Sequence, residues 1–152
     1  MRTFLQLFWY LGAIATLANA RLYRSVFNRR ISDGDLAAKA TAAFRRMALW
    51  QAGILVSLGA MQTLSGSVTP LFPFLSPFAG SWLVGASWIV AVTGMIGFGL
   101  YLRSLESRVA GEIGGALFAG TLSGPLAVRT LQILSIAVPI VLLLVSTLST
   151  PR

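Results

Sequence analysis

Four stretches of this chain contain no charged side chain: Phe4 to Ala20, Met47 to Leu64, Trp82 to Leu102 and Thr130 to Leu148. Each is roughly 17 to 21 residues long, the length a helix needs to cross a hydrocarbon layer of about 30 Å. Only 11% of the chain is charged and 56% is hydrophobic, against roughly a quarter charged in soluble domains. The pattern predicts an all-α fold, an integral membrane four-helix bundle in which residues 1–152 form a single transmembrane domain. The spans are about 4–20, 47–64, 82–102 and 130–148.

Charge then orders the threading. Arg21, Arg24, Arg29, Arg30, Lys39, Arg45 and Arg46 lie between the first two runs, and Arg103, Arg108 and Arg129 lie between the last two. Basic loops stay in the cytoplasm, so the expectation is a multi-pass membrane protein with both termini outside it. A net charge of +8 does not read as nucleic-acid binding, because the basic residues sit between spans and not on one solvated face. Arg24, Arg29, Arg30, Arg45 and Arg46 are instead candidates for lipid headgroups or an acidic partner, since guanidinium groups pair with phosphate and carboxylate in a two-pronged geometry. The opening apolar run followed by Ala18-Asn19-Ala20 also has the form of a signal peptide with its cleavage site. The strongly basic terminus that cleavage would leave weighs against that reading.

The chain has no Cys and no His. Thiolate catalysis, disulfide exchange, Cys/His zinc sites and His-ligated haem therefore lack their groups. Its acidic residues, Asp33, Asp35, Glu106 and Glu112, all fall outside the spans, so a proton relay or a cation site on intramembrane carboxylates has nothing to use. A lipid-modifying enzyme would have only those loop carboxylates to work with. The expectation is that the chain is not an enzyme and carries no metal site; what cofactor, pigment or lipid it binds is left open.

Between the spans the sequence is more specific. From Ser32 the stretch SDGDLAAKATAAFRRM has the form of a capped helix start, with Leu36, Ala40, Ala43, Phe44 and Met47 on one face. It is either an amphipathic helix lying on the cytoplasmic headgroup layer or an extension of the second span. Pro70, Pro73 and Pro77 alternate with Phe72, Phe74 and Phe78, a composition that breaks helices yet avoids water. Phe72, Phe74 and Phe78 are the expected partner contacts. Residues 111–124 are rich in glycine and too short to span; they read as a loop with an interfacial turn, or as a re-entrant half-helix that would have to bury Glu112.

Inside the spans, small residues recur at packing intervals: Gly12, Thr16 and Ala20, then Gly53, Ser57 and Ala60, then Ser87, Ala91, Gly94 and Gly97. Close helix approach in lipid needs such stripes. Five amides, Gln6, Asn19, Gln51, Gln62 and Gln132, lie in or at the ends of spans. Gln51, Gln62 and Gln132 are the intramembrane polar candidates, as interhelical hydrogen bonds or as contacts to a ligand, because an unpaired amide in hydrocarbon costs several kcal/mol. A faint echo, Arg24-Ser25-Val26 to Gln51 against Arg103-Ser104-Leu105 to Gln132, would let Gln51 and Gln132 face each other. The reading that results is a non-catalytic integral membrane subunit that packs in or stabilises a larger complex. Its partners would be the bilayer and other membrane subunits or further copies of itself. The alternative is a small oligomeric channel or transporter for an anion or neutral solute.

Overall fold

A computed structural model describes residues 2–66, 81–117 and 124–148. They form five helices and, among the described residues, no strand: α1 Arg2–Arg30, α2 Gly34–Ser65, α3 Trp82–Ser104, α4 Ser107–Leu117 and α5 Gly124–Leu148. Three of these, α2, α3 and α5, are long and apolar enough to cross a membrane. The partner-contact candidates Phe72, Phe74 and Phe78 lie outside the described residues.

The helices do not stop where the apolar runs stop. α1 has 29 residues and α2 has 32, about 43 and 48 Å at 1.5 Å per residue. Both therefore continue well past the charge-free runs, and the basic stretch 21–46 is a helical hairpin turned at 31–33. The expected surface helix before the second span is the first part of α2, so the extension reading is the one observed. Its cap is Asp33 and not Ser32: Asp33 Oδ1 accepts the backbone N–H groups of Asp35 and Leu36 at 3.0 and 3.3 Å. Asp, with an acceptor oxygen nearer the helix-start amides, competes well with Ser for this position. One turn on, the Asp35 carboxylate lies 2.6 Å from Lys39 Nζ and, by hydrogen bond and charge, holds that ammonium above its ordinary range. At its other end α2 stops at Gly66, whose φ of 65° is left-handed and costs little only without a Cβ.

α4 corrects the loop reading of 111–124. Residues 107–117 are helical, while 118–123 lie outside the described residues. Val109, Ala110, Ile113 and Gly114 are buried along one face, spaced three and four apart as one helical stripe requires. The earlier signal, glycine content, misled because two of those glycines are used for contact: Gly114 is in the buried stripe and Gly115 receives a side chain from α1.

Packing runs α1 on α2, α2 on α3 and α3 on α5, with α4 laid across the basic end against α5, α2 and the edge of α1. Glycines set the approach. A Cβ on Gly94 would stand 3.0 Å from Ile54 Cγ1, one on Gly97 2.9 Å from the Trp50 ring, and one on Gly99 2.7 Å from Ile136 Cγ1. The small-residue stripe of the third run thus receives α2. The stripe of the second run does not behave alike: Gly53 has nothing within 4 Å, and with Leu49, Ser57 and Val90 it borders an outward groove of about 440 Å³.

Candidate functional site

The basic end of the molecule has a small core of its own. Phe27 is fully buried although it lies beyond the first apolar run, and Ile113 of α4 is fully buried against the same cluster. Three rings organise it: Tyr23 and Phe44 have centroids 4.7 Å apart, Phe27 and Phe44 meet edge-on at 5.7 Å, and Tyr23 and Phe27 lie at 6.1 Å. Phe44 faces this way because it shares the buried α2 face with Ala37, Ala40 and Met47.

Arg30, a candidate for an acidic partner, finds one within the chain. Its Nη1 donates to the Gly115 carbonyl at 2.8 Å, and its Nε lies 3.9 Å from Glu112 Oε2. Gly115 is near the end of α4, where carbonyls lack intrahelical donors, so the guanidinium completes the helix as well as pairing charge. A Cβ at Gly115 would stand 2.8 Å from Arg30 Nη2, the far end of a flexible side chain that can shift to admit it. Arg24, Arg29, Arg45 and Arg46 are exposed, and the Tyr101 hydroxyl donates to the Ala43 carbonyl at 3.4 Å.

The Arg30 tether is half exposed, its side chains 47% and 33% accessible, so screening limits its worth. Arg30→Met is expected to release α4 by about 1 kcal/mol, and Glu112→Gln by about half that because the bond to Gly115 survives. Hydrogen exchange should show residues 107–117 opening about fivefold faster in Arg30→Met, a factor that follows from 1 kcal/mol. Unchanged protection there would show that the tether holds nothing.

Above this core, α1 and α5 stand either side of α2 and leave a cleft of about 270 Å³. Its polar wall is Thr16, Asn19, Tyr23 and Gln51; its apolar wall includes Met47, Ala48, Leu117 and Leu131. Thr16 Oγ1 is already used, donating to the Gly12 carbonyl at 2.8 Å. Of the three intramembrane candidates, only Gln51 reaches the cleft. Gln62 is fully buried on α2. Gln132 lies at the α3–α5 contact, its carbonyl oxygen 3.3 Å from where a Gly99 Cβ would stand, while its neighbour Leu131 borders the cleft.

Asn19 and Gln51 are two of the five amides in or near the apolar runs, but nothing in the sequence pairs them or joins Thr16, Tyr23, Leu117 and Leu131 to them. The available signal was depth: Asn19 sits one residue before the first run ends, and Gln51 one turn after the second begins. Among the described residues no group of three His, Cys, Asp or Glu side chains could hold a metal ion.

The chain matches no protein-family model, no curated protein and no solved structure.

Proposed function

We propose that this chain is a non-catalytic, multi-pass integral membrane subunit that packs in a larger membrane assembly, crossing four times with both termini away from the cytoplasm. One observation carries the reading: the two outer helices expose apolar side chains along their length. Ile14 and Leu22 on α1 are 64% and 65% accessible, and Ile133 and Leu144 on α5 are 64% and 57%. Of the most apolar stretch in Leu126–Val145, only 11% is buried. Leaving such side chains in water would forfeit about 1.5 to 3 kcal/mol each, and patches of this extent mark a lipid or partner surface. The basic residues clustered at one end support the orientation, and the segment Pro70 to Phe78 supports a partner on the other side through three apolar rings on a proline-restricted backbone.

The second reading is a small oligomeric channel or transporter for an anion or neutral solute. The open groove beside Gly53 favours it, because a second copy's helix could approach the backbone closely there.

Native mass measurement after gentle extraction tests both. A particle heavier than one chain and containing other subunits is expected, and replacing Phe72, Phe74 and Phe78 by Ser should release them with the helices still inserted. A homo-oligomer would favour the second reading, and a bare monomer that keeps its mass in the triple variant would remove the first. A tag on the amino terminus that reacts only after cells are opened would overturn the topology.

A further inference from the structure

The cleft between α1 and α5 is uncharged, small and set at one depth. None of its lining residues carries charge at neutral pH, although Arg21, Arg24, Arg45 and Arg46 lie close by in sequence. The Asn19 and Gln51 side-chain amides make no hydrogen bond to another described residue, Asn19 standing on the exposed rim and Gln51 half-buried. Two amides facing one space at the edge of an apolar layer present both donors and acceptors, and leaving them unpaired away from water is costly. At about 270 Å³ the cleft falls below the roughly 300 to 1,000 Å³ of sites that enclose a whole small molecule. It has room for a head group and none for a long tail.

We propose that this cleft binds the uncharged, carbonyl- or hydroxyl-bearing head of an amphiphile whose hydrocarbon tail runs out into the bilayer. Asn19 and Gln51 hydrogen-bond the head, the Tyr23 hydroxyl offers a third polar contact, and Leu117 and Leu131 form the apolar wall opposite. A charged head is disfavoured because none of the lining residues supplies a counter-charge and the head would lose water without gaining one. The inference rests on the membrane reading, since only in a bilayer does the tail have somewhere to go. Quinones and diacylglycerols share the required chemistry.

The test is titration of the full chain in nanodiscs with a decyl-tailed benzoquinone, with dioctanoylglycerol and with dioctanoyl phosphatidylglycerol, counting bound probe by native mass spectrometry. Saturable binding of one neutral probe is expected, identifying the quinone or the glycerolipid as the source, with phosphatidylglycerol at least tenfold weaker. Asn19→Leu with Gln51→Leu should weaken binding about 30-fold, two hydrogen bonds of ordinary worth. Leu131→Trp, which fills the cleft and keeps both amides, should weaken it as much, so the result does not hang on one variant folding. Leu100→Ala, on an exposed part of α3, should leave it within twofold. No neutral binding, equal binding of the anionic lipid, or indifference to both cleft variants overturns the site. Resistance of the chain to alkaline extraction, measured alongside, separates the causes: an inserted protein that binds nothing refutes the cleft alone, whereas an extractable one refutes the membrane reading and the cleft with it.

Discussion

Phe27→Ala should destabilise the basic end by about 3 to 5 kcal/mol, the range for truncating a fully enclosed aromatic. Phe27 has no accessible surface and touches both Tyr23 and Phe44, so its removal empties a space between α1 and α2 that neither can close. The ring lies seven residues beyond the charge-free run, flanked by Arg24 and Arg29, and under the membrane reading proposed above water rather than lipid is its competing environment. There the hydrophobic effect acts in full; between helices in lipid it does not. Hydrogen exchange across 21–46 and 107–117 should rise together, since Ile113 of α4 leans on the same cluster. Ile14→Ala, 64% accessible in the apolar run, is the contrasting case and should change stability by less than about 0.5 kcal/mol. Equal effects at the two positions would show that the basic end has no core of its own.

Gly99→Val should cost about 2 to 3 kcal/mol through overpacking. The first added carbon would stand 2.7 Å from Ile136 Cγ1 and 3.3 Å from the Gln132 carbonyl oxygen. The first neighbour belongs to a β-branched side chain stiff at χ1 and the second to the backbone, so relief requires α3 and α5 to separate. Gly97 is a softer case: its Cβ would meet the far edge of Trp50, a side chain 41% accessible and able to swing outward. Gly53→Ala enters open space and should be neutral or stabilising by up to about 1 kcal/mol, the helix-propensity difference. Reversible unfolding in mixed micelles would rank the three. A Gly99→Val protein as stable as Gly53→Ala would mean that α5 does not pack on α3 in this register.

Helices, their rough centres and the polarity of their ends could be read from the residues, because each depends on local quantities. A run without charge, a proline-rich break and a basic stretch act through neighbours in sequence. Helix ends proved harder. Leu22, Val26 and Phe27 lie among arginines in sequence, yet α1 continues through them to Arg30, with Phe27 packed on Phe44. Residues 111–124 read as a loop from their glycines, yet the apolar stripe at Val109, Ala110 and Ile113 was a helical signal of equal standing that outweighed them over 107–117.

What the sequence alone determined is therefore the class of molecule: an all-helical chain of long apolar runs with basic residues between them, in which four runs read as spans and three helices of the described chain are long and apolar enough to cross a membrane. The tertiary structure decided which side of each helix faces which neighbour. In a soluble helix the apolar face announces itself, but α3 and α5 are apolar nearly all round, so rotation about their axes carries no sequence mark. Rotation is what separates Gly99, pressed against Ile136, from Gly53, pressed against nothing. It also joins Arg30 to Gly115 across 85 residues and brings Asn19 and Gln51 to one cleft, because side-chain contact between helices is a matter of register and angle that no single helix encodes.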